Sequence, residues 1–310
     1  MDGFEVHDPE FLRLVLPNAP LLTLGEGYAW LEGPAWFGDQ QCLLVSDLPN
    51  DRILRWTEDG GVSVYRAPSG FANGHTRDRQ GRLLGCSHQA RCITRTELDG
   101  SITVLADRFA GKRLNGPNDI VCRSDGTIWF TDPHYGIGTD YEGGKQTPEL
   151  PPGVYCLAPD DGALTLVSDA FKGPNGLCFS PDESRLYVAE SGPQFDVAPE
   201  RHLMVLDVEG TRLSNMRVFH TVSPGFTDGL RCDVDGRVWS SAGDGVHCIA
   251  ADGRLLGRIK VPHTVANLEF GGRNRSRLFI CASHTLYAIY TNTRGADRLH
   301  PPVPGAFPHV

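Results

Sequence analysis

Six residues with side-chain oxygens recur along this 310-residue chain: Glu32, Asn73, Asn118, Asn175, Asp228 and Asn267. Their contexts echo one another as "EGPAW", "NGHTR", "GPNDIV", "GPNGLCF", "TDGLRC" and "ANLEF". Brought onto one axis, they would form a ring of oxygens with neither sulfur nor imidazole. Such a ring suits a hard cation, because Ca²⁺ takes about 6–8 oxygen ligands from carboxylates, amides and water in flexible geometry. Glu32 and Asp228 would formally cancel its charge, and neutral amides would complete the shell without surplus negative charge. Mg²⁺ and Mn²⁺ are weaker fits, and Zn²⁺ is a poorer substitute because it usually prefers His or Cys. Taken singly, Asn-Gly and Asp-Gly are also ordinary turn residues. Glu32 is not, and all six positions are polar.

The elements that must position these residues form a repeat. Each oxygen-bearing residue lies eight or nine positions before a marker in a strand–turn–strand unit: Gln41, Gly81, Gly126, Ser184, Gly236 and Ser276. The markers are 40, 45, 58, 52 and 40 residues apart and head apolar strands, as in "RSDGTIWFTD" (123–132) and "DVDGRVWSSAG" (233–243). Further strands lie between them, among them "RILRW" (52–56) and "HTLYAIY" (284–290), and Asp99-Gly100, Asp161-Gly162 and Asp252-Gly253 supply hairpin turns. Six copies with little helical patterning predict an all-β fold, a six-bladed β-propeller of four-stranded sheets around a central metal-binding tunnel. At about fifty residues per blade the repeat consumes the chain as one domain over 1–310, with an N-terminal extension at 1–25 and a Pro-rich tail at 294–310. Equivalent positions at the start of each innermost strand then surround one end of the channel.

Composition narrows the partners. The 38 acidic and 29 basic residues give a net charge of −9 with no basic block, which argues against nucleic acid and anionic membranes. No apolar run approaches the roughly 18 residues of a membrane span, and "MDGFEVHDPEF" has no basic leader, so no signal peptide is expected. The nine cysteines are odd in number, form no CxxC pair and fall largely in apolar runs. They read as small core residues of a protein kept reduced in the cytoplasm. The oligomeric state stays open.

The same segments carry a family resemblance. "NGHTRDRQGRLLGCSH", "GKRLNGPNDIVCRSDGTIWFTDPHYG", "GPNGLCFSPDESRLYVAES" and "FTDGLRCDVDGRVWSS" resemble the gluconolactonase/regucalcin (senescence marker protein) family, in particular its bacterial gluconolactonase-like branch. The resemblance covers nearly the whole chain after about residue 25. It implies a six-bladed propeller with one catalytic divalent cation, usually Ca²⁺, held by Glu32, Asn175 and Asp228. It implies Asn118 as a fourth ligand or a substrate contact. Regucalcin-like members carry a substrate-contacting Arg two residues before this Asn, where this chain has Gly116, with Lys112 and Arg113 as nearby cations.

The expected chemistry is metal-dependent hydrolysis of a sugar lactone, glucono-1,5-lactone or a related aldonolactone, to the aldonic acid. The cation would polarise the carbonyl, and Asp228 is the candidate general base. His75, His88, Asp132 and His134 follow ring positions or end second strands. With Asn73 and Asn118 they are candidate contacts for sugar hydroxyls or proton transfer. Two alternatives remain at this point: aryl-ester or phosphotriester hydrolysis on the same metal site, and a non-enzymatic calcium-binding propeller. GxSxG, Walker, HExxH and dinucleotide motifs are all missing.

Overall fold

The computed structural model describes residues 3–196 and 201–296. The fourteen-residue stretch 297–310, most of the Pro-rich segment named above, lies outside the described residues. Six of the seven sheets are the antiparallel blades of a six-bladed β-propeller, and the seventh is a two-stranded hairpin of Arg108–Phe109 and Lys112–Arg113. The innermost strands are Leu31–Phe37, Ala72–Arg77, Ile120–Cys122, Pro174–Phe179, Leu230–Cys232 and Val265–Gly271. The last of these packs against the first and closes the ring.

Closure draws on the N-terminal segment. Leu22–Glu26 pairs with Thr285–Tyr290 as the outer strand of blade six, so one blade joins both ends of the chain. Phe4–Val6 adds a fifth strand to blade five by pairing with Leu255–Lys260. Residues within the expected extension are therefore structural parts of two blades. Among the described residues no helix is long and apolar enough to cross a membrane.

Strand alternation explains why the blades stack. Successive side chains of a strand point to opposite faces, and a propeller blade is covered on both. In the second strand of blade one, Leu43 and Val45 pack with Phe279 and Cys281 of blade six. Cys42 and Leu44 pack with Ala72 and Leu83 of blade two. In blade three, Ile128 and Phe130 face blade two, whereas Trp129 faces Leu177 and Val188 of blade four. Six apolar clusters result, one in each gap between blades. All nine cysteines are free, and only Cys122 is less than fully buried.

Each innermost hairpin turns through a left-handed residue: Gln41, Gly81, Gly126, Glu183, Gly236 and Arg275 all have positive φ, and the last hairpin has a second at Gly272. Three of the six are not glycine, and in blades four and six the left-handed residue precedes the markers Ser184 and Ser276 by one position. The start of the inner strand is irregular as well. Register shifts fall between Glu32 and Ala35, Ala72 and His75, Pro174 and Leu177, and Val265 and Asn267. Such bulges re-aim side chains, here at the end of the strand nearest the axis.

Candidate metal and active site

The inner strands approach each other closely where the oxygen-bearing residues sit. Gly176 N donates to Asp228 O at 3.0 Å, and Gly74 N donates to Asn118 O at 2.8 Å. A Cβ on Gly176 would overlap the Asp228 carbonyl. The glycine after Asn175 is thus what lets blades four and five touch. Together these contacts fix the main chain behind a cavity of about 180 Å³.

Glu32, Asn73, Asn118, Asn175 and Asp228 all line that cavity. Two neighbours determine what Asn175 presents to it. The Ser191 hydroxyl donates to the Thr227 carbonyl at 2.8 Å. Its oxygen is then left to accept from Asn175 Nδ2 at 3.2 Å, which turns Asn175 Oδ1 away from Ser191. Glu32 is held in a similar way. Its Oε2 accepts from Gly33 N at 2.9 Å and from Asn267 Nδ2 at 3.0 Å, leaving Oε1 unengaged by these bonds. Asn267 Oδ1 accepts from Leu268 N at 2.9 Å, which turns it along the inner strand. The sixth ring residue orients Glu32 and does not line the cavity.

The electrostatics of the two carboxylates are those of a site short of positive charge. Burial pushes Glu32 up from the ordinary carboxylate range, against the pull of its two hydrogen bonds. Burial pushes Asp228 well up, and the Glu32, Asp119 and Glu142 carboxylates push it further. Glu142, a third carboxyl lining the cavity, is raised to about 7 by burial alone. Arg201 is the one cation among the described lining residues, stacked 4.3 Å from the Phe226 ring centre with its Nε donating to Ser191 O at 3.1 Å. Among the described residues no three His, Cys, Asp or Glu side chains come together as a metal cluster. The available donors are two carboxylates with amide oxygens, a set suited to a hard cation and poor for Zn²⁺.

The histidines and Asp132 stand behind the cavity. His75 is buried between the Ser46 hydroxyl at 3.0 Å and the Leu84 carbonyl at 3.3 Å, and burial lowers it to about 4. His88, also lowered to about 4 by burial, lies behind Asn73. Asp132 is fully buried and accepts from Asn115 N at 2.8 Å, bracing the segment that leads to Asn118. His134 Nε2 lies 3.1 Å from Leu150 O and ties the 133–152 loop together. None of these four lines the cavity.

Gly116 packs against Gly136, so a side chain there would meet the short helix Tyr135–Gly138. Lys112 and Arg113 lie on a small hairpin, with Arg113 Nη2 donating to Ala90 O at 2.9 Å, and neither lines the cavity. The cation there comes from blade four instead, as Arg201.

Tyr135, Glu142, Ser191, Arg201 and Phe226 are lining residues that the repeat did not reveal. Tyr135 and Glu142 have one sequence signal, the twenty-residue connection 133–152, far longer than a hairpin needs. Loops of that length are usually functional.

The comparisons agree with the geometry. Residues 30–284 match the SMP-30/Gluconolactonase/LRE-like region family model. A gluconolactonase of Zymomonas mobilis is 33% identical over 301 residues, covering 90% of this chain and 83% of its own. A pentonolactonase of Haloferax volcanii is 26% identical, covering 80% of each chain. The solved structure of a gluconolactonase from Xanthomonas campestris superposes with a TM-score of 0.88 at 39% identity, covering 94% of this chain and 95% of that one. The chain belongs to the SMP-30/gluconolactonase/LRE-like family.

Proposed function

We propose that this protein is a metal-dependent lactonase that hydrolyses a sugar lactone, glucono-1,5-lactone or a related aldonolactone, to the aldonic acid. One observation carries the reading. Glu32, Asn118, Asn175 and Asp228, from four different blades, line one small cavity, and the hydrogen bonds behind Glu32 and Asn175 reserve oxygens for it. The lactonase relatives supply the reaction class.

Those four residues would hold the cation, Ca²⁺ in this reading, which supplies a Lewis acid for the lactone carbonyl. Asp228 is the base: its carboxylate takes a proton from the attacking water as the new C–O bond forms. When the ring C–O bond breaks, the same carboxyl returns a proton to the departing ring oxygen. Ser241 Oγ accepts from Asp228 N at 2.7 Å and Gly176 binds its carbonyl, so the base is positioned from both sides. A cyclic ester is more reactive than an amide, so less barrier lowering is asked of the site. The free, buried cysteines support a reduced compartment, the cytoplasm.

The test is a substrate panel at neutral pH: glucono-1,5-lactone, other aldonolactones, an aryl ester and a phosphotriester, with spontaneous hydrolysis subtracted. Enzymatic turnover of the aldonolactones above the other two classes is expected. Aryl-ester or phosphotriester turnover without lactonase activity would overturn the reading.

A further inference from the structure

His88 connects two parts of the cavity wall. It has no exposed surface and sits between the inner strand of blade two and the 133–152 loop of blade three. Its Nδ1 lies 3.0 Å from the Glu142 carbonyl oxygen, which can only accept, so Nδ1 carries the proton. In the neutral ring Nε2 must then accept, and the group at 3.3 Å is the Asn73 amide nitrogen. The tautomer of His88 therefore sets the orientation of the Asn73 amide and turns its Oδ1 away from the ring. That oxygen is buried and has no hydrogen-bond partner, while Asn73, only 4% exposed, lines the cavity.

The same bond fastens the loop that carries Glu142. Gly143 lies so close to His88 that a Cβ would come within 2.9 Å of the His88 Cβ. The Glu142 carboxyl lines the same cavity, and its ion-pair neighbour among the described residues is His88 Nδ1 at 3.9 Å. Arg201, the cation of this cavity, is held on Ser191 and Phe226 of blades four and five instead. Asn73 and Glu142 thus present two acceptors on one side of the cavity, and neither has a protein donor aimed at it. A buried unpaired acceptor such as Asn73 Oδ1 costs about 1–3 kcal/mol; a ligand bringing hydroxyl donors would remove that cost and also bond the partly exposed Glu142 carboxyl.

Resting on the lactonase reading, we propose that Asn73 Oδ1 and the Glu142 carboxyl, held in register by His88, form a hydroxyl-reading wall. It accepts hydrogen bonds from the polyol hydroxyls of the substrate and selects hydroxylated lactones over unsubstituted ones. Glu142 and Asn73 are specificity residues and His88 is their positioning residue. The aliphatic body of an unsubstituted lactone would leave Asn73 Oδ1 unpaired and cover the Glu142 carboxyl without offering it a donor. Sites built to bond a hydroxyl reject analogues that lack it for this reason.

The experiment compares glucono-1,5-lactone with δ-valerolactone, which has the same ring and no hydroxyls, so that intrinsic reactivity cancels between variants. In Glu142→Ala the ratio of kcat/KM for the two substrates should fall about 30-fold, within the range expected for a lost buried hydrogen bond. Glu142→Gln, which keeps the side-chain volume and one acceptor, should fall in between. His88→Gln should raise KM for glucono-1,5-lactone more than it lowers kcat. Ca²⁺ affinity of Glu142→Ala, measured by calorimetry, should fall far less than that of Asp228→Ala, because Glu142 adds only a charge near the site and no ligand. An unchanged substrate ratio in both Glu142 variants would overturn the wall while leaving the lactonase reading intact, and so would a collapse of Ca²⁺ affinity. A parent enzyme that hydrolyses neither lactone would instead sink the lactonase reading, and the wall with it.

Discussion

The two ends of the central channel are built from the same six strands and treat charge in opposite ways. At the starts of the strands, Glu32 and Asp228 line a cavity with Glu142 and Arg201, and among the described residues no cation is paired with either carboxylate. Toward their far ends a second cavity, of about 140 Å³, is lined by Arg231, Glu269 and Arg275. There the charges pair among themselves. Arg231 Nε lies 2.8 Å from Glu269, Arg275 Nη2 lies 3.0 Å from the other Glu269 oxygen, and Arg231 Nη1 lies 3.8 Å from Asp119. The contrast separates a network in which Arg231, Glu269 and Arg275 pair with one another from carboxylates that have no paired cation among the described residues. Asn118 and Asp119 make the point at adjacent positions, the first serving the upper cavity and the second the lower network.

If that division holds, substitutions at the two ends should fail in different ways. The largest effect is expected for Asp228→Ala, with kcat/KM on glucono-1,5-lactone falling by about 10³-fold or more, equivalent to roughly 4 kcal/mol. Its far-UV spectrum should stay unchanged. Glu269→Ala should do the reverse, because breaking a buried ion pair strands its partner. Chemical denaturation should show a loss of about 3–5 kcal/mol, while kcat/KM of the folded fraction stays near that of the parent. A large catalytic loss in Glu269→Ala with full stability would break the comparison.

Ser191→Ala addresses the orientation of Asn175 without removing a proposed ligand. It deletes the acceptor that holds the amide nitrogen, so Ca²⁺ affinity should fall about tenfold, some 1.4 kcal/mol, as read by calorimetry. The smallest effect concerns His75. Its folded pKa of about 4 lies below the ordinary His value of 6.5, so the unfolded chain binds more protons between those values. The stability it contributes is present above pH 6.5 and is lost as pH falls toward 4. Relative to His75→Gln, the parent should lose at most about 1.4 kcal/mol per pH unit in that window. Thermal melts of the two proteins at pH 7 and pH 4.5 would measure it.

How much of this was legible in the sequence depends on the range of the interaction. The six hairpins could be read because alternation and turn residues are local, and the left-handed positions at Gly81, Gly126 and Gly236 mark their own turns. The closure of blade six by Leu22–Glu26 could not, because that pairing joins the two ends of the chain and leaves no local mark. The ring of oxygens was visible as six equivalent positions. What distinguishes Asn175 from Asn267 was not: both are amides on inner strands, but Ser191 binds the nitrogen of the one that lines the cavity, whereas the other bonds Leu268 N and Glu32 behind it. Amide orientation is set by partners distant in sequence. The same holds for Glu142, whose place in the wall depends on the path of a long loop and on its bond to His88.

The central claim is that the upper cavity holds a divalent cation on which lactone hydrolysis depends. Its most direct test is the rate of glucono-1,5-lactone hydrolysis by protein stripped with EDTA, dialysed and titrated with Ca²⁺, with metal content measured at each step. The rate should fall to the spontaneous level in the stripped protein and recover with one Ca²⁺ per chain, and no recovery should occur in Asp228→Ala. Full turnover by protein shown to be free of metal would contradict the account.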